Sequence, residues 1–225
     1  MNILKKLWGS EQPIDHQGEF YKFKQAQSDF TCYQKPHIPL YFGGASEAAL
    51  QIGSQECNVY ALWGEPLSEV KSKISNFKSR VASAGRDPES IRFSISTRPI
   101  VADTESEAWD IAHSTLSSVL KSKQTSMYGA GKERLESVGS KRLVDFAKKG
   151  DVLDQRLYMP IAAATGVAGN TTALVGTAEQ VVESLMEYYK IDSANVIVFH
   201  DDLDINLGKV TVKFGGNSAG HNGIE

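Results

Sequence analysis

IPLYFGGASEAALQIG, residues Ile38 to Gly53, is the stretch whose reading decides the fold. Ile38 to Phe42 is a short apolar run, partly β-branched and aromatic, that follows turn chemistry at Lys35-Pro36. Such a run predicts a buried strand. Gly43-Gly44 then breaks it, Ser46 occupies a helix N-cap with Glu47 just inside, and Ala48, Ala49, Leu50 and Ile52 carry a helix. A strand that turns through two glycines into a helix offers bare backbone N–H groups and the positive end of a helix dipole, where phosphate binds well. Taken alone, the stretch is more often an ordinary βα turn.

The rest of the chain narrows the class. Its 225 residues suffice for one large domain or two small ones. Hydrophobic residues make up 41% and charged residues 23%, which permits a sizeable core. A net charge of −3 gives no global attraction to nucleic acid or anionic lipid. No apolar run reaches the roughly 18 residues needed to span a bilayer, so no membrane partner is expected. MNILKKLWGSEQP has no apolar core of signal-peptide length. Only two cysteines, Cys32 and Cys57, suggest a reducing, cytoplasmic setting without a disulfide framework or zinc site. Both read best as small buried hydrophobes.

Along the chain, the alternation in HQGEFYKFKQA predicts a hairpin or extended segment within residues 1–37. Asn58 to Trp63 is a second buried strand, closed by Gly64-Glu65-Pro66. Pro66 opens a helix to about Ala84, with Val70, Ile74, Phe77 and Val81 on one face. Ile91 to Val101 reads as one strand, and Asp103-Thr104-Glu105 caps a helix containing Ala108, Trp109, Ala112 and Leu116. This alternation predicts a parallel α/β sheet or barrel. Between about Thr125 and Asn170 the pattern loosens into a loop, a short helix at SKRLVDFAKKG and the start of a glycine-rich return, TGVAGNTTALVG. Thr177 caps the amphipathic helix AEQVVESLMEYY; a strand from Asn195 to His200 and an alternating run from Lys209 to Phe214 follow.

Four motifs in order, IPLYFGGASEAAL, NVYALWGEP, FSISTRPIVADTESEAW and GNTTALVGTAEQVVESL, resemble the carboxy-terminal half of luciferase-like, FMN-dependent monooxygenases of the alkanesulfonate group. The resemblance implies part of a (β/α)8 TIM-type barrel over residues 1–187, with its site at the carboxyl ends of the strands. It implies reduced FMN supplied by a separate reductase, reaction with oxygen, and oxygenation of a small sulfonate or related substrate. Gly43, Gly44, Ala45 and Ser46 match the family's phosphate cradle. Trp63 and Glu65 end the next strand on the flavin side. Arg142 and Arg156 are candidates for the arginine of a mobile insertion that helps close the site. The alkanesulfonate group carries Arg-x-His where this chain reads Ser96-Thr97-Arg98, which leaves Arg98 to meet an anion or developing negative charge. The first strands of the barrel have no counterpart before Met1, so open sheet edges and a homo-oligomer that covers them are expected.

The tail resembles a different family. HDDLD and GGNSAGHNG, within YKIDSANVIVFHDDLDINLGKVTVKFGGNSAGHNGIE, look like the middle of a bacterial peptidyl-tRNA hydrolase. The resemblance implies a short β-hairpin tail over residues 188–225. Asp201 matches the aspartate that orients the catalytic histidine, and Asn222 a substrate-site asparagine. The histidine itself belongs to the part of that family which this chain replaces, and an aspartate with nothing to orient performs no general-base step. Overall acidity opposes strong tRNA affinity, so tRNA is a partner only if the tail is functional. The alternatives to a monooxygenase are therefore a hydrolase fragment and an inactive fusion of two truncated enzymes. Strand Val196 to Phe199 is expected to take the place of the monooxygenase's last barrel strand.

Overall fold

The computed structural model describes residues 2–30, 32–125, 137–165 and 172–189. In order these form α1 (Asn2–Gly9), β1 (Ile14–Gln17), β2 (Lys22–Ala26), β3 (Tyr41–Phe42), α2 (Glu47–Glu56), β4 (Val59–Trp63), α3 (Leu67–Ser83), β5 (Arg92–Ser96), β6 (Arg98–Val101), α4 (Glu105–Thr125), α5 (Val138–Ala147), β7 (Val152–Leu153), β8 (Leu157–Tyr158), α6 (Pro160–Thr165), β9 (Ala173–Gly176) and α7 (Ala178–Tyr189). The chain divides into two compact units, Met1–Ala61 with Lys78–Ser94, and Leu62–Phe77 with Ile95–Glu225.

In the first unit β1 and β2 form the expected antiparallel hairpin, with His16 opposite Phe23 and Gln17 opposite Lys22. β3 and β4 run parallel, with Tyr41 opposite Val59 and Phe42 opposite Tyr60. The strand expected over Ile38–Phe42 is shorter than its apolar run. Pro39 has no N–H to give, and Leu40 donates its own to the Asn58 side chain at 2.9 Å rather than to a strand. Leu40, Cys57, Val59, Tyr60, Val81 and Ile91 are buried, so Cys57 behaves as a small hydrophobe. Arg86 donates to the carbonyls of Ser54 and Cys57 at 2.8 and 2.7 Å, which caps the last turn of α2.

The second unit centres on β9. Its sheet runs in the order β6-β9-β8-β7. β6 lies parallel to β9, with Arg98 opposite Ala173 and Val101 opposite Gly176, whereas β8 is antiparallel to both β9 and β7. All four residues of β9 are buried, as they must be with apolar packing on both faces. Leu174 joins Leu143, Phe146, Leu157, Met159 and Val181. Its neighbours Ala173 and Val175 join Ala108, Ala112, Tyr158 and Ile161 instead. That division is the twofold alternation of strand side chains. Thr104 accepts from Glu107 N–H at 3.2 Å to cap α4. Thr177 and Gln180 form a reciprocal capping box at the start of α7, at 3.4 and 2.9 Å.

Three expectations are corrected. The single strand over Ile91–Val101 is two, because the chain changes partner at Thr97: Ser96 accepts from Gly64 N–H at 3.0 Å, while Arg98 N–H gives to Thr172 at 2.9 Å. The glycine-rich return contains β9, a fully buried parallel strand. The loosened region holds α5, the β7–β8 hairpin and α6, so the sheet is mixed rather than parallel. Among the described residues the strands do not close into a barrel. The expected strand Val196 to Phe199 and the hairpin tail lie outside them.

Leu174→Ala should cost about 2–5 kcal/mol in a denaturant titration, because it opens a cavity among Leu143, Leu157 and Met159. Tyr33→Ala, at a position 99% exposed, should stay within about 0.5 kcal/mol of the parent.

Candidate functional site

Two groups of predicted residues are well defined, one in each unit. In the first, Ser46 adopts extended backbone (φ −74°, ψ 157°) and its hydroxyl accepts from Ala49 N–H at 3.3 Å. Leu50 N–H gives to the Ser46 carbonyl at 2.9 Å and opens the helical ladder of α2. The amides of Glu47 and Ala48 precede that ladder and have no intrahelical acceptor. Gly44 is required here: a Cβ on it would stand 2.7 Å from Ala49 Cβ. Its carbonyl accepts from the Tyr60 hydroxyl, which fixes the turn to β4 within the same unit. Gly43 is less constrained, since a Cβ there would make only ordinary contact with Ala61. Ser46 is exposed and Ala45 half-buried. Just inside the helix, Glu47 is held by both terminal nitrogens of Arg80 at 2.5 and 3.0 Å. The hydrogen bond from Arg80 keeps the Glu47 carboxyl below its ordinary range, and Arg80 offsets its charge at the mouth of the turn.

In the second unit the predicted residues Glu65 and Arg142 meet, although 77 positions separate them in sequence. Glu65 follows the carboxyl end of β4 and its side chain is only 2% exposed. Arg142, on α5, donates from Nε to both carboxylate oxygens at 3.1 and 3.2 Å, and from a terminal nitrogen to Oε1 at 2.7 Å. Lys73, on α3, donates to Oε2. The Glu65 carbonyl accepts from the Tyr188 hydroxyl of α7 at 2.7 Å. Burial lowers Lys73 to about 7, with the charge of Arg142 adding to the effect. Burial also pushes the Tyr188 hydroxyl up, followed by the charges of Asp154 and Glu187. Asp154 accepts from Leu67 N–H at 2.9 Å, at the first turn of α3.

Trp63 packs beside this centre, against the cluster of Leu143 and Phe146. A Cβ on Gly139 would come within 2.9 Å of the indole, so the start of α5 lies flat on the ring. Arg156 joins a separate group: it donates to Glu105 at 2.9 Å and to the Val175 carbonyl at 3.2 Å, while Gln180 also holds Glu105. Arg98 begins β6 with an exposed side chain. Asp201 and Asn222 lie outside the described residues.

The sequence reading missed Lys73 and Arg80. Lys73 had a signal: it sits three residues after Val70 and four before Phe77, on the buried stripe of α3, where a lysine must find a partner. The Glu47–Arg80 pair spans 33 positions and leaves no local trace. Chemically, the first group can receive an anion on backbone amides, and the second fixes a buried carboxylate between a guanidinium and an amine. Among the described residues no group of His, Cys, Asp and Glu could hold a metal ion, and no helix is long and apolar enough to cross a membrane.

Comparisons with known proteins fit this architecture. Residues 170–225 match the peptidyl-tRNA hydrolase family model. Among solved structures, the chain is similar to a riboflavin lyase (RcaE) with modified FMN and riboflavin, at 18% identity and a TM-score of 0.62, covering 84% of this chain and 48% of that one. It is similar to DmoA from Hyphomicrobium sulfonivorans at 16% identity and a TM-score of 0.60, covering 84% and 47%. The EDTA monooxygenase EmoA from Chelativorans sp. BNC1 is 14% identical with a TM-score of 0.60, covering 84% and 50%. At such identities the likeness is one of fold, and the chain spans about half the length of these structures. The luciferase-like monooxygenase model matches residues 1–193, most of the chain, and the protein therefore belongs to the luciferase-like monooxygenase family.

Proposed function

We propose that this chain binds FMN by its phosphate at Gly43, Gly44, Ala45 and Ser46, as the cofactor half of a flavin-dependent monooxygenase acting on a small organic substrate. The observation that carries the reading is the turn itself, where Gly44 has no room for a side chain and the first amides of α2 point out of the ladder. Reduced FMN, supplied by a separate reductase, would bring the reaction with oxygen; the protein's part is to bind, orient and exclude water. Ser46 and the amides of Glu47 and Ala48 hold the phosphate, with Arg80 countering Glu47. By resemblance, Trp63 and Glu65 are assigned to the flavin side of β4. Arg98 is assigned to an anionic group, and a sulfonate is the substrate class the resemblance names. Arg142 and Arg156 act through the carboxylates they hold, Glu65 and Glu105. The open edge of such a half barrel supports assembly as a homo-oligomer.

The match over residues 170–225 favours a second reading, a hydrolase-derived tail. We place the boundary at 187/188, inside the stretch 170–193 that both family models cover. Asp201 and Asn222 would belong to a tRNA-facing surface without the histidine that hydrolysis needs.

Titration with FMN, followed by flavin fluorescence, should saturate for the parent protein. Ser46→Asp keeps an N-cap oxygen but adds a negative charge, and should weaken binding at least about tenfold with an unchanged circular dichroism spectrum. Parent-like affinity in that variant would move the phosphate elsewhere. A tRNA titration between 50 and 200 mM salt should detect no binding; saturable, salt-sensitive binding would promote the second reading.

A further inference from the structure

We propose that Tyr60 is the positioning residue of the glycine turn: its hydroxyl fixes the Gly44–Ala45 peptide so that the Ala45 N–H becomes a third amide donor to the phosphate, beside those of Glu47 and Ala48. The inference rests on the FMN reading above. It adds a residue that acts on the ligand only through the backbone it holds.

Tyr60 stands on β4 opposite Phe42 and is buried, with 5% of its surface exposed. A phenol taken out of water needs a hydrogen-bond partner. The Gly44 carbonyl, 16 positions earlier, meets its hydroxyl. A carbonyl can only accept, so the phenol is the donor and the direction of the bond is settled. The Gly44 oxygen is thereby aimed at the interior of the first unit. The turn is also pressed against the start of α2, since a Cβ on Gly44 would stand 2.7 Å from Ala49 Cβ. That contact brings the Gly44–Ala45 peptide to the same end of the helix as the amides of Glu47 and Ala48.

The Gly44–Ala45 peptide is trans. In a trans peptide the C=O and N–H point in opposite directions. With the carbonyl turned to the buried phenol, the Ala45 N–H is turned away from it. Ala45 is half-buried, and among the described residues its N–H meets no acceptor. An anion would supply one. Glycine tolerates either orientation of the peptide that follows it, so Gly44 alone does not choose between them. A flipped peptide would present a carbonyl oxygen where the N–H stands and repel a phosphate. The Tyr60 hydroxyl selects the orientation that attracts one.

Tyr60→Phe keeps the ring and deletes the hydroxyl. FMN and riboflavin titrations of the full-length parent and variant, with amide proton–nitrogen spectra recorded during addition of inorganic phosphate, test the assignment. In the parent, phosphate should shift the amides of Ala45, Glu47 and Ala48 together. In the variant, FMN affinity should fall at least about fivefold, the loss of one hydrogen bond, with riboflavin affinity unchanged. The Ala45 amide should then cease to respond while those of Glu47 and Ala48 still do. A role in packing alone would weaken both flavins alike. A parent-like ratio of the two affinities in Tyr60→Phe, or a parent Ala45 amide that ignores phosphate while Glu47 and Ala48 respond, would overturn the role of Tyr60 alone. Silence of all three amides in the folded parent would overturn the FMN reading and this inference with it.

Discussion

A carboxylate taken almost wholly out of water must be met by charge or it destabilises the fold by several kcal/mol. Glu65 is met twice, by Arg142 and Lys73, and its main chain is held once more by Tyr188. Arg142 on α5 and Lys73 on α3 meet its side chain and Tyr188 on α7 meets its carbonyl, so one residue after β4 ties together segments of three helices within the second unit. The apolar packing agrees with that placement. Trp63, Leu143 and Val181 fill the space beside the charges, and Gly139 lets α5 approach the indole. Burying the ion group is not itself a large source of stability. A one-residue slip of α5 would take Arg142 off the carboxylate and leave Lys73 to counter it alone.

Much of the frame was legible in the sequence because its signals are local. Ser46 before Glu47, Pro66 before Leu67, and Thr177 with Gln180 each mark a helix start through short-range hydrogen bonds or a fixed backbone angle, and each marks one in the structure. β4 was legible as an apolar run bounded by Asn58 and Gly64. β9 was not. Four buried residues preceded by Gly169, Asn170 and two threonines show no periodicity, and only the pairing with β6 makes them a strand. The break at Thr97 is likewise tertiary, since Arg92 to Val101 has uniform strand character and its partners change from Gly64 to Thr172. Helix α1 was overlooked because eight residues with two adjacent lysines give too short a pattern.

The site was legible in part for the same reason. The Gly43–Ser46 turn is contiguous, and its chemistry can be read from four neighbouring residues. Glu65 and Arg142 were singled out separately, through a resemblance, and nothing in the sequence said that they touch. Helix α7 carries a further point. It lies within the stretch covered by both family models, so the residue that latches Glu65, Tyr188, comes from sequence shared by the two likenesses.

The most direct test of phosphate recognition at the glycine turn compares FMN with riboflavin, which differs only by lacking the phosphate, in equilibrium titrations of the same preparation at fixed salt. Phosphate recognition at this turn predicts saturable FMN binding and an affinity for riboflavin at least about tenfold lower, a difference of roughly 1.4 kcal/mol or more. Equal affinities would contradict it, because the turn at Gly43 to Ser46 would then contribute nothing to holding the flavin.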